Sequence, residues 1–119
     1  MAHILIVDDE AGIREFIADV LEDDGHEATQ AEDGLAALHQ LHARAFDLLI
    51  TDLRMPGMTG LEFIRSVHER DIDAEMVMVT AHATVASAVE AMRYGAHADY
   101  DDKSLGHFGL GLKTAFDVG

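Results

Sequence analysis

The sequence contains no cysteine, a single proline, and only two lysines, Lys103 and Lys113, among 119 residues. Without cysteine there is neither a disulfide framework nor a thiolate metal site. Long hydrophobic runs are lacking too. The apolar stretch after Met1-Ala2-His3 is cut off by Asp8-Asp9-Glu10, too short for a signal peptide or a membrane span, so a soluble cytoplasmic protein is expected. Positive charge is scarce: eight basic residues stand against 23 acids, for a net charge of -15. Such a field repels phosphate backbones, which argues against direct nucleic-acid binding by this segment. Most of the acids read as a solvated face. No repeat, linker or low-complexity segment divides the chain. Residues 1–119 therefore read as one domain, able to bury roughly two thirds of its unfolded surface.

The most informative stretch runs from Leu48 to Gly60. Leu48-Leu49-Ile50-Thr51 has the continuous burial tendency of a central parallel strand and stops on Asp52. Pro56, Gly57 and Gly60 then build a tight loop, Pro56 by fixing φ and the glycines by permitting conformations that branched residues resist. A carboxylate at the carboxyl end of a parallel strand lies where open α/β sheets bind ligands.

The remaining chain alternates strand and helix. His3–Val7 is a strand ending on Asp8-Asp9. Ile13, Phe16, Ile17, Val20 and Leu21 form one helical stripe, closed by Gly25. Residues 27–31 are a weak strand, and Asp33-Gly34 opens a helix with Leu35, Leu38 and Leu41 inward. Leu61, Ile64 and Val67 mark a third helix, and residues 76–80 a fourth strand ending on Thr80. Val85, Ala88, Val89 and Met92 stripe a fourth helix, closed by Gly95, and residues 98–101 form a short fifth strand with Lys103 just beyond. The last segment spaces Leu105, Phe108, Leu112 and Phe116 helically, but Gly106, Gly109 and Gly111 intervene, each costing about 1 kcal/mol in a helix interior. A weak, frayed fifth helix is expected. Five strands alternating with five helices make an α/β, doubly wound parallel sheet covered on both faces.

Asp8, Asp9 and Asp52 meet in one crevice if the first and third strands are neighbours. Three like charges raise one another's pKa unless a cation sits among them. Oxygen ligands favour a hard ion, so the cluster reads as a Mg²⁺ site, with Mn²⁺ as a substitute. With the Thr80 hydroxyl and the Lys103 ammonium, the acids make a place for a phosphoryl group that an Asp carboxylate can accept as an acyl phosphate.

Four segments carry a family resemblance: Ile4-Leu5-Ile6-Val7-Asp8-Asp9-Glu10, Asp52-Leu53-Arg54-Met55-Pro56-Gly57-Met58-Thr59-Gly60, Val79-Thr80-Ala81-His82, and Gly95-Ala96 ahead of Asp99-Tyr100 and Lys103. Together they resemble the receiver domain of two-component response regulators, most of all receivers attached to enhancer-binding transcriptional activators. The resemblance implies a flavodoxin-like sheet of order 2-1-3-4-5. It implies that Asp52 takes a phosphoryl group from a sensor histidine kinase or phosphotransfer protein. Asp9, Asp52 and the main-chain carbonyl of Arg54 would ligate Mg²⁺, with Asp8 acting through water. Lys103 would pair with the phosphoryl oxygens, Thr80 would swing toward them, and Tyr100 would turn inward. That would remodel the surface of the fourth helix, fifth strand and fifth helix, which could meet an output domain or a second copy. Arg54 and His82 would tune loss of the phosphate. The chain would not be an enzyme beyond catalysing its own phosphorylation and dephosphorylation.

Three departures from the family bear on switching: one extra residue between Gly95 and Asp99, as a bulge or longer loop at His97-Ala98; Ser104 where proline is usual; and Asp101-Asp102 in apolar positions. They leave the acid pocket intact and predict a weaker switch. Hence a second reading, a degenerate receiver that binds a protein partner without phosphate. A phosphatase with an aspartyl-phosphate intermediate would want an acid two residues past Asp52, where Arg54 stands. His39 and His42 read as solvated side chains.

Overall fold

The structure is a computed structural model and describes residues 1–79 and 85–99. Nine elements alternate: β1 (His3–Val7), α1 (Ala11–Asp23), β2 (Glu27–Ala31), α2 (Gly34–Ala43), β3 (Leu48–Thr51), α3 (Gly60–Glu69), β4 (Glu75–Val79), α4 (Val85–Arg93) and β5 (Ala96–Asp99). The strands form one sheet in the order β2-β1-β3-β4-β5, every pairing parallel. The predicted fifth helix lies outside the described residues.

Alternating strand residues feed two cores, one on each face of the sheet. On one face Ile4, Ile6, Leu48, Ile50 and Val77 pack against Ile17, Ala18 and Leu21 of α1. On the other, Leu5, Val7, Leu49 and Met78 pack against Ala37 and Leu38 of α2 and Phe63, Ile64 and Val67 of α3. Burial on both faces is why the central strands are unbroken in their hydrophobicity.

The helix boundaries follow local chemistry. Asp33 caps α2, its side chain accepting from the Ala36 N–H at 2.7 Å. Thr59 and Glu62 form a reciprocal capping box at the start of α3, satisfying two otherwise orphaned N–H groups. Gly25 and Gly95 follow α1 and α4 with φ of 87° and 91°, as helix-ending glycines do.

Several expected inward residues are exposed. Phe16 and Val20 on α1, Leu35 on α2, and Val89 and Met92 on α4 all face solvent, Leu35 at 67% and Phe16 at 53% of full exposure. Small residues take the buried positions in their stead, Ala18, Ala37 and the fully buried Ala91, because a helix whose inner face carries alanine can lie closer to the sheet. Phe63, absent from the expected third stripe, is fully buried. β4 begins at Glu75, one residue earlier than read, and β5 (Ala96–Asp99) begins two residues before the expected start at 98, with residues 100 and 101 outside the described residues. Pairing with β4 starts directly after Gly95, and Ala96 to Asp99 match Met76 to Val79 one for one. His97-Ala98 is thus part of the ladder and not a bulge.

Candidate functional site

The ladder continues past the strand ends into the acids. Val7 pairs with Thr51 as the last residues of β1 and β3. One step on, the Asp8 N–H donates to the Ala31 carbonyl at 3.2 Å and the Asp52 N–H to the Val7 carbonyl at 3.1 Å. The strand geometry thereby delivers Asp8, Asp9 and Asp52 to one edge. Each offers an oxygen within 4.8 Å of the others'.

The three carboxylates differ in their surroundings. Asp8 is buried, at 6% exposure, Asp52 is half-buried and Asp9 is exposed. Asp8 Oδ1 accepts from the Glu10 N–H at 2.9 Å. Burial nonetheless pushes the Asp8 carboxyl up to about 6, reinforced by the charges of Asp52, Asp9 and Glu10 and opposed by that hydrogen bond. Asp52 Oδ1 accepts from the Leu53 N–H at 2.7 Å, a local turn that fixes the carboxylate relative to the loop it begins.

That loop is held tightly. The Thr51 hydroxyl donates to the Asp52 carbonyl at 3.0 Å, and the Gly60 N–H donates to the Leu53 carbonyl at 2.9 Å. Gly60 is required for close approach: a Cβ there would strike the Asp52 carbonyl and come 2.8 Å from Leu53 Cα. Its φ is not positive, in contrast to Gly57 at 80°, so the reason for glycine at position 60 is space and not the conformational freedom expected from the sequence. Between the loop and the acids lies an open depression of about 300 Å³ lined by Asp9, Leu53, Arg54, Met55, Pro56 and Thr59.

Of the residues singled out from sequence, the structure brings together Asp8, Asp9 and Asp52, with Arg54 on the rim of the same depression. Thr80, His82, Tyr100 and Lys103 lie outside the described residues. His39 and His42 are exposed, and among the described residues the acid triad is the one cluster with the donors for a metal ion. Sequence reasoning missed Arg14, whose guanidinium reaches the Asp8 main chain from α1 at 2.6 Å. A cation one helical turn after the Asp8-Asp9-Glu10 acids was the signal available. It also passed over the Thr59-x-x-Glu62 capping box, which is legible as a motif.

Comparison with known proteins places this arrangement. The family model described as response regulator receiver domain matches residues 4–104. The chain is 44% identical over 95 residues to the chemotaxis protein CheY of Pseudomonas aeruginosa, an alignment covering 77% of each chain. It is 40% identical over 99 residues to the response regulator protein FleR of the same organism, covering 83% of this chain and 21% of FleR. The similarity thus spans about a fifth of FleR's length. Among solved structures, the Thermotoga maritima response regulator TrrA in complex with Mg²⁺-BeF superposes with a TM-score of 0.82 at 30% identity, over 97% of this chain and 99% of that one. With a flavodoxin-like sheet, an acid triad at its carboxyl edge and these likenesses, the chain belongs to the response regulator receiver domain family, the phosphoacceptor modules of two-component signalling.

Proposed function

We propose that residues 1–119 form a single Mg²⁺-dependent receiver that accepts a phosphoryl group on Asp52 from the phosphohistidine of a sensor kinase or phosphotransfer protein. The observation that supports it most is the convergence of Asp8, Asp9 and Asp52 from two strand ends onto one spot. The donor set fits a hard divalent ion: oxygen ligands only, with Asp8 raised to about 6 by burial and, secondarily, by the neighbouring charges that a cation would offset. Asp9, Asp52 and the Arg54 main-chain carbonyl would hold the ion, with Asp8 acting through water. When bound, Mg²⁺ neutralises charge on the transferring phosphoryl oxygens.

The chain's own part is positioning. The Leu53 N–H engages Asp52 Oδ1, leaving the second carboxylate oxygen to attack phosphorus as the bond to the donor's imidazole breaks. Lys103 pairs with the phosphoryl oxygens, Thr80 and Tyr100 carry the switch, and Arg54 and His82 tune loss of the phosphate. The output runs through the surface containing α4 and β5, to an output domain or a second copy. The exposed Val89 and Met92 of α4 give that surface apolar contact area.

Intact mass measurement after incubation with Mg²⁺ and a small acyl phosphate tests this reading. One phosphoryl group should add to the wild type and none to Asp52→Asn or to wild type with chelator. No addition to the wild type would leave a phosphate-independent interaction module as the surviving reading.

A further inference from the structure

Arg14 stands in the first turns of α1, half-buried. Its Nη1 donates to the main-chain carbonyl of Asp8 at 2.6 Å and its Nε to Gln30 Oε1, beside the end of β2, at 3.2 Å. Both acceptors are neutral oxygens. Neither belongs to a carboxylate, so this guanidinium ties up none of the three acids. The rigid fork of a guanidinium can span a carbonyl and an amide at once, which the single ammonium of lysine cannot reproduce.

The peptide it holds is the joint between Asp8 and Asp9. On one side the Asp8 N–H is fixed to the Ala31 carbonyl; on the other the Asp8 carbonyl is fixed by Arg14. The first bond anchors the Val7–Asp8 peptide and the second the Asp8–Asp9 peptide, so the planes on either side of the Asp8 Cα are each held, and the second plane sets the direction in which the Asp9 side chain departs. Groups that orient ligands from behind govern metal affinity without touching the metal.

Resting on the reading of the triad as a Mg²⁺ site, we propose that Arg14, braced by Gln30, is a positioning residue that holds the Asp8–Asp9 peptide at the angle needed for Asp9 and Asp52 to share one ion. It acts through a main-chain oxygen, so the ligand carboxylates stay free for the metal.

The test is titration of the full chain with Mg²⁺ and Mn²⁺, with metal-free melting temperature measured in parallel. Arg14→Lys keeps the charge and loses the fork, and metal affinity should fall about 10- to 100-fold. Phosphoryl uptake by this variant should be slow at low Mg²⁺ and restored at saturating Mg²⁺, a split that a general loss of stability would not produce. Gln30→Ala should show a smaller loss of the same sign. If charge alone mattered, Arg14→Lys would bind metal like the wild type and Arg14→Met would bind it more tightly, and either result overturns the proposal. Should the Arg14 variants not fold, Gln30→Ala decides, and wild-type affinity in it is the overturning result. Failure of the wild type itself to bind Mg²⁺ would instead remove the site reading on which the proposal rests.

Discussion

The backbone N–H of Asp52 donates to the carbonyl of Val7 at 3.1 Å, so the residue proposed to accept the phosphoryl group hangs from the end of the neighbouring strand. One residue past Val7 is Asp8. A single ladder step therefore sets the spacing of the acids, and the loop that begins at Leu53 sets the orientation of Asp52.

Asp8→Asn should stabilise the metal-free protein at neutral pH. The folded-state pKa of about 6 lies above the ordinary 3.8, so the fold binds this proton more tightly than the unfolded chain does. Stability from Asp8 is then fully present below pH 4 and lost as pH rises through 6, a loss of up to about 3 kcal/mol. Asparagine keeps an oxygen for the Glu10 N–H and removes the charge. Melting at pH 7 without metal should shift upward, and added Mg²⁺ should raise it far less than in the wild type.

Metal affinity should itself depend on pH. A proton on Asp8 competes with the cation, so Mg²⁺ affinity should fall by up to about tenfold per unit below pH 6. Calorimetric titration from pH 5 to pH 8 checks this, with proton release on binding expected near pH 6. Asp8→Asn should flatten the profile.

Two glycine substitutions should go in opposite directions. Gly60→Ala forces backbone against backbone at Asp52 and Leu53, and should cost about 2 kcal/mol or more while reducing phosphoryl uptake by displacing Asp52. At Gly12, near the start of α1, an added methyl group would meet no atom within 4 Å. Gly12→Ala should stabilise by about 0.5 to 1 kcal/mol. Chemical denaturation of both variants measures the contrast.

Asp71 is the one described non-glycine residue with positive φ, at 56°, just past the Arg70 cap of α3. Left-handed backbone costs an L-residue about 1 to 2 kcal/mol, less for aspartate. Asp71→Gly should raise the melting temperature slightly and leave phosphoryl uptake unchanged, since the position is remote from the triad.

Much of this molecule is legible in its residues. β1 runs where the hydrophobic pattern places it, β2 where its place in the alternation of strand and helix put a weak strand, and Gly25, Asp33 and Gly95 mark the helix ends they were expected to mark. Asp8, Asp9 and Asp52 could be placed because an apolar run that stops on an acid announces a strand end. The faces of the helices were harder to place. Helical spacing is satisfied by Phe16, Leu35 and Met92 as well as by their smaller neighbours, and side-chain size pointed to the wrong ones. Close helix-on-sheet packing selects Ala18, Ala37 and Ala91, a preference invisible to hydrophobicity alone. Arg14 escaped notice because its acceptors are a main-chain carbonyl and a distant amide, and its place one helical turn after the acids was the one mark it left in the sequence. The start of β5 was missed because Ala96 and His97 lack strand character of their own and are recruited by pairing with Met76 and Val77.

The central claim is that Asp8, Asp9 and Asp52 surround one divalent ion, and paramagnetic broadening by substoichiometric Mn²⁺ in amide NMR spectra tests it most directly. The account predicts that the amides of residues 8–10 and 52–54 broaden first and together, that excess Mg²⁺ restores them, and that Asp52→Asn weakens the effect. Broadening that begins elsewhere on this acidic surface, or that touches Asp8 and Asp9 without Asp52, would contradict it.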